Sequence, residues 1–228
     1  CEQLLKDFQR QGGEAMFLGT VNPNAARIYE RFGWNHIPDT ELMVNLAGNE
    51  TPIEFLKSYF TDLDTPEVQV GEATSRIPII PLIVSPHSWS VLDANVSIFS
   101  PRVESQASCL GLYNRYQALR NESRGDWFTL VADSGKVFGI SSAVHVEGKL
   151  FQVDGFCHES YAGMVGELIQ IAISWCSDQG ATQIIARLSS MDEEKQSLFE
   201  CVGFHEQGLD GTFEHGNPKM DTVVYSLG

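Results

Sequence analysis

The chain has 228 residues, of which 43% are hydrophobic and 20% charged. That balance excludes a disordered chain, which lacks the apolar surface to offset its ordering entropy, and it excludes a collagen-like or disulfide-scaffold protein. The net charge of −15, from 15 Lys+Arg against 30 Asp+Glu, repels phosphate backbones, so nucleic acid is not an expected partner, whereas a cationic amine is tolerated.

The cysteines Cys1, Cys109, Cys157, Cys176 and Cys201 are odd in number and show no CxxC spacing. Neither a disulfide framework nor a zinc site is expected, and the cytoplasm is the expected location. The apolar run Ile77 to Val84 is broken by Pro78 and Pro81. It is far shorter than the ~20 residues a membrane span needs, so no membrane association is expected, and no signal peptide is read at the start. His36, His87, His145, His158, His205 and His215 are scattered without metal-ligand spacing, and no metal is expected.

In chain order, residues 1–11 predict a helix with Leu4, Leu5 and Phe8 on one face, ended by Gly12-Gly13. EAMFLGTV predicts a buried strand. In VNPNAARIYERFGW, Asn22 is a helix N-cap, Pro23 the first helical residue, and Ala25, Ile28, Tyr29 and Phe32 one apolar stripe. Gly33 closes this helix, and Trp34 opens an extended stretch to Leu46. A lone strand is not stable, so residues 1–46 read as the second half of a domain whose first half is absent. The two explanations are an incomplete sequence and a genuine half-domain docked on the rest.

Residues 47–104 read as a connector. It holds a short helix, Pro52 to Phe60, an acidic loop, Thr61 to Glu72, and the Pro-broken segment, which its prolines keep out of a sheet interior. His87, Trp89 and Asp93 follow, either capping a pocket or packing in the core.

Residues 105–228 read as a complete unit. A helix from Ser105 to Asn121 precedes strands at Trp127–Ala132, Val137–Val146 and Leu150–Phe156, with turns at 133–136 and 147–149. A helix follows from Gly163 to Gln179, with Val165, Leu168, Ile169, Ala172 and Cys176 on its apolar face. A strand at Thr182–Leu188, a helix at Asp192–Val202 and strands near Phe204–Leu209 and Thr222–Leu227 complete the unit. Asp192-Glu193-Glu194 are expected to serve the helix N-terminus through its dipole. Cys157-His158-Glu159, at a strand end, could line a substrate pocket. A Cys/His nucleophilic pair is not expected, because neighbours on a strand point to opposite faces.

The two ends echo each other. Placing Gly33 on Gly203 lays Ala25, Ile28, Tyr29 and Phe32 over Lys195, Leu198, Phe199 and Val202.

VNPNAARIYERFGW resembles a conserved segment of the GNAT N-acetyltransferases, through Asn22, Pro23, Ala25, Ala26, Tyr29, Glu30, Phe32, Gly33 and Trp34. The strand order after Ser105 is also similar to that family. The resemblance implies an α+β GNAT fold, a mixed and mostly antiparallel sheet flanked by helices, present as one complete copy plus a C-terminal half-copy. It implies an acetyl-CoA-dependent N-acetyltransferase acting on a small-molecule or peptide amine.

By the same resemblance, Tyr29 would protonate the departing thiolate, and Asn22 and Ala25 would contact the pantetheine arm. In the trailing copy the pyrophosphate loop Gln/Arg-x-x-Gly-x-Gly/Ala falls on Ser160-Tyr161-Ala162-Gly163-Met164-Val165, so Gly163 is the remaining cofactor contact. Ser160 and Val165 depart from the pattern. Phe199 stands where Tyr29 does and cannot transfer a proton, and Asp192 replaces Asn22. The alternative is therefore a catalytically inactive GNAT-like binding or structural module. Unpaired strand edges in a half-copy would favour a homodimer.

Overall fold

The structure is a computed structural model, and it describes residues 2–61, 65–213 and 219–228. Cys1, His215 and part of the acidic stretch after Thr61 lie outside the described residues.

The leading residues build a small layered unit: α1 (Glu2–Arg10), β1 (Ala15–Gly19), α2 (Pro23–Glu30), β2 (Asn35–His36) and β3 (Leu42–Leu46). The strands lie in the order β1-β3-β2, antiparallel throughout. Alternation along β1 and β3 divides the two faces of this sheet. Met16, Leu18 and Met43 pack under the helices with Ala26, Tyr29, Phe32 and Trp34. Phe17, Leu42, Val44 and Leu46 turn the other way and join the main core of the molecule. β1 is half-buried on both faces rather than buried, as befits the edge of its three-stranded sheet.

The start and end of α2 follow from its sequence. The Asn22 side chain accepts from the Asn24 and Ala25 amides at 3.0 and 3.4 Å, with Pro23 in the first turn. At the other end Gly33 has φ +82, the Gly33 amide donates to the Glu30 carbonyl and the Trp34 amide to the Tyr29 carbonyl. This is the doubly bonded glycine stop that a left-handed residue makes possible. The apolar stripe needs one correction. Ile28 is 52% exposed and Ala26 takes its place in the core, because α2 rests on Met43 through its Ala26–Tyr29 side.

The middle of the chain is more structured than a connector. α3 (Pro52–Tyr59) starts with a capping box between Thr51 and Glu54. The stretch expected as an acidic loop contains β4 (Glu67–Val70), which pairs antiparallel along a strand of the main sheet. Its Glu-Val-Gln-Val alternation is only four residues long, and as an edge strand it buries little. The Pro-broken segment is α4 (Ile79–Val84), buried along its whole length, with Pro81 tolerated in its first turn. β5 (Val91–Asp93) and β6 (Ile98–Phe99) form a short hairpin with a 3-10 turn at Ala94–Val96.

The remaining elements are α5 (Cys109–Asn121), β7 (Gly125–Val131), β8 (Val137–Glu147), β9 (Leu150–Cys157), α6 (Val165–Asp178), β10 (Gln183–Ser189), α7 (Glu193–Val202), β11 (Phe204–Phe213) and β12 (Met220–Leu227). α5 begins later than the expected Ser105, because the Ser108 hydroxyl caps it by accepting from the Gly111 amide. The strands form one seven-stranded sheet ordered β11-β12-β10-β9-β8-β7-β4. One of its edge strands, β4, thus comes from upstream of residue 105.

All neighbours in this sheet are antiparallel except β9 and β10. The five apolar residues expected on one face of α6 are all buried. The trailing part β10–α7–β11–β12 is ordered β10-β12-β11, the same local topology as β1–α2–β2–β3. Gly203, at φ +107, ends α7 as Gly33 ends α2.

Candidate functional site

The parallel pair β9 and β10 is the feature that makes a site. Their register runs from Leu150–Gln183 to Gln152–Ile185 and stops there. Beyond it β9 stays on β8 as far as Cys157, and β10 stays on β12 as far as Ser189. The two strands therefore splay, leaving a wedge-shaped gap in the middle of the sheet.

Each face of the sheet at this gap can be assigned from its hydrogen bonds. On one face the Ser141 hydroxyl donates to the Leu168 carbonyl of α6 at 2.7 Å, and α7 packs beside α6. On the opposite face Trp127 contacts Tyr113 and Tyr116 of α5, and Ser142, Gln152 and Asp154 meet the segment around β5. Asn95 donates to the Ser142 hydroxyl at 2.9 Å and receives a hydrogen bond from Gln152 at 2.7 Å. The Ala94 amide donates to Asp154 Oδ2 at 2.7 Å.

Lys195 joins the two faces. It leaves the first turn of α7, on the α6 side, and its Nζ donates to the Val91 and Leu92 carbonyls at 3.0 and 2.9 Å on the far side. It also meets Asp154 Oδ1 at 2.6 Å, with neither side chain exposed, and lies 5.5 Å from the Trp89 ring centre. Its partner Asp154 lies on β9 just beyond Gln152, where the pairing with β10 has ended. Asp192, directly before α7, makes no side-chain cap hydrogen bond to it. It is buried, and its two carboxylate oxygens accept from the Ser90 and Val91 amides at 2.7 and 2.9 Å. Two strand-end amides in a dry site need an acceptor, and Asp192 supplies it to both.

Asp93 completes the cluster. The Ser142 hydroxyl lies 2.9 and 2.7 Å from its two oxygens. Burial, and then the charge of Asp154, push its carboxyl up to about 7. Burial also raises Asp154, against the pull of Lys195. Tyr116 is pushed well up, by burial first and then by the Asp93 charge.

Beside this cluster lies a cleft of about 690 Å³. The leading unit contributes Ile37, Pro38 and Asp39, and α3 contributes Leu56 and Lys57. The end of α4 adds Val84 to His87, and the end of β9 adds His158 and Glu159. His87 sits against the Leu82 carbonyl at 2.7 Å, and burial lowers it to about 4, so it is neutral near pH 7. His158 stacks on Phe60 with ring centres 3.9 Å apart, and burial lowers its pKa as well. The Ser100 hydroxyl, in the lining, is buried without a partner among the described residues. Cys157 is turned into the core instead, with its thiol pushed up by burial.

His87, His158 and Glu159 line the cleft, as the sequence allowed, whereas the four residues expected from the resemblance are not gathered here. Tyr29 packs edge-on to Trp34, ring centres 6.0 Å apart, in the leading unit's own core. Asn22 caps α2 and Ala25 lies in its first turn. Gly163 belongs to the 3-10 turn Glu159–Met164 before α6, where a Cβ would meet nothing within 4 Å. None of the four lines the cleft. Among the described residues there is no metal-binding group of three or more ligands, and no helix is long and apolar enough to cross a membrane.

A seven-stranded sheet in this order, opened between its two parallel strands, decides the architecture. The fold is that of the GNAT acetyltransferases. Spermidine N-acetyltransferase from Vibrio cholerae matches with a TM-score of 0.55 at 13% identity, over 72% of this chain and 95% of that one. A GNAT-superfamily phosphinothricin acetyltransferase from Sinorhizobium meliloti matches at 0.54 and 19%, over 71% and 87%. Ribosomal-protein-S5-alanine acetyltransferase from Vibrio fischeri matches at 0.52 and 16%, over 72% and 93%. No family model matches the chain, and no curated protein matches it. At these identities the likeness carries the GNAT fold and not the chemistry.

Proposed function

We propose that the seven-stranded unit is a GNAT fold kept for binding rather than for acetyl transfer. The observation that carries this reading is Lys195, whose Nζ is buried between Asp154 of β9 and the Val91 and Leu92 carbonyls, beyond the point where β9 and β10 part and where the fold would admit the thioester arm. Phe199 agrees with it: fully buried against Phe204, it offers no proton to a leaving thiolate. The cleft lined by Ile37, Leu56, Val84, His87 and His158 is then the ligand site, in the size range of small-molecule pockets. In this reading the trailing unit starts at β4, and residues 1–46 are a partial second copy docked on it. Isothermal titration calorimetry with coenzyme A tests the proposal. No binding is expected, and release of free thiol from acetyl-CoA by this chain would overturn it.

A second reading is an acetyl-CoA-dependent N-acetyltransferase for a small-molecule or peptide amine, with Tyr29 as the proton donor and Asn22, Ala25 and Gly163 as cofactor contacts. It is favoured by the α2 sequence and its intact cap. A homodimer that covers the outer edge of β1 belongs to this reading. Light scattering and a Tyr29→Phe activity assay test it.

A further inference from the structure

Resting on the silent-module reading, we propose that Lys195, Asp154 and Asp192 form a latch, which holds the chain's own segment Ser88–Val96 as a strap across an otherwise usable channel. The channel would take a pantetheine-type arm, an extended amide-bearing thiol.

Three groups grip the strap from different elements. Asp192, before α7, accepts the amides of Ser90 and Val91. Lys195, within α7, donates to the carbonyls of Val91 and Leu92. Asp154, on β9, accepts the amide of Ala94 and pairs with Lys195. The contacts run along the strap's backbone, so its position depends little on its side chains. Arg102 adds a hydrogen bond to the Ser88 carbonyl.

Ala94 and Asn95 of the strap lie on the face of the sheet opposite α6, and Lys195 meets the strap from α7 beyond the last β9–β10 pair. In the latch, one unbranched side chain and the strap's backbone together close the gap. In the leading unit the corresponding position is Ala25, a side chain too short to cross. Splaying, which costs two strands their ladder hydrogen bonds, is retained although Lys195 fills it. A gap with no use would be expected to close by extended pairing of β9 and β10. The geometry thus points to a closed channel rather than to an absent one.

The test uses Lys195→Ala in the full chain. Because that change leaves Asp154 buried without its partner, Lys195→Ala with Asp154→Asn is made alongside; Asn still accepts from the Ala94 amide. Folding is checked by circular dichroism. Hydrogen exchange follows residues 88–96, and calorimetry uses pantetheine, which lacks the pyrophosphate and so bypasses the departures at Ser160 and Val165. The latch predicts at least tenfold faster exchange at Ser90, Val91 and Ala94 and pantetheine binding that the unaltered chain lacks. Unchanged exchange in a folded variant would overturn the latch. Faster exchange without pantetheine binding would overturn the channel and leave the silent-module reading standing. Coenzyme A binding by the unaltered chain would overturn both.

Discussion

Lys195 and Asp154 form an ion pair of 2.6 Å with no exposure of either side chain, and one partner comes from a helix on one face of the sheet while the other points to the opposite face. A buried pair of this kind contributes little net stability against an apolar replacement, yet breaking it is costly, because the remaining charge is stranded. Lys195→Ala is expected to lower unfolding free energy by about 3–5 kcal/mol. Lys195→Met with Asp154→Asn removes both charges and should cost clearly less. Urea denaturation of the two variants checks this, and equal losses would show that the pair is not the source.

The two buried acids give the cluster a pH dependence. Asp93 has an ordinary value of 3.8 and is pushed up to about 7 by burial and by Asp154. An acid raised on folding keeps its proton while the unfolded chain releases it. Its contribution is full below about pH 4 and is lost as pH rises through about 7. His87 acts in the other direction. Its value falls from 6.5 to about 4, so its contribution is present above pH 6.5 and lost as pH falls through 4. The two oppose each other between about pH 4 and 6.5, so thermal unfolding should stay near level there and decline only toward pH 7, and Asp93→Asn should turn the level stretch into a rise with pH. An unchanged profile in that variant would assign the pH dependence to other groups.

Tyr29 separates the two functional readings. Its ring packs on Trp34 and its surroundings are the leading unit's own helices and sheet. Tyr29→Phe keeps that packing, so stability should change by no more than about 0.5 kcal/mol. If the silent-module reading holds, ligand binding in the cleft is also untouched. A large loss of acetyl transfer in an assay with acetyl-CoA and amines would instead support the enzyme.

Much of the fold was legible from local chemistry. Asn22, Pro23 and Gly33 state where α2 starts and stops, and the period of Val165, Leu168, Ile169, Ala172 and Cys176 states which face of α6 is inward. β4 was not legible although Glu67-Val68-Gln69-Val70 alternates, because four residues beside an acidic stretch are the shortest run in which alternation can be read. The core of the site was not legible either. Lys195 and Asp192 sit in a helix start rich in charge, which ordinarily reads as a solvated turn. Their burial depends on the strap, which lies about a hundred residues away in sequence. One signal was present: Lys195 falls on Ala25 in the internal repeat, and a long cation in a small-residue position asks for a buried partner.

Docking of the leading unit has a local test. A Cβ added at Gly19 would lie 2.5 Å from the Ala107 carbonyl oxygen and 3.1 Å from Leu42. The first obstacle is backbone, held in place where the Gln106 carbonyl accepts from the Glu41 amide and the Gln106 side chain donates to the Phe99 carbonyl. It cannot rotate away as a side chain would, so β1 must shift from residues 105–108. Gly19→Ala should therefore loosen residues 2–46 while sparing the seven-stranded sheet, at a cost of about 1–3 kcal/mol for overpacking. Hydrogen exchange resolved by segment distinguishes this from general destabilisation. Faster exchange confined to β1, β3 and the hairpin between β2 and β3 is the expected pattern. Uniform acceleration across β7 to β12 would mean instead that the two sheets unfold as one cooperative body, joined through Phe17, Leu42, Val44 and Phe55 in the shared core.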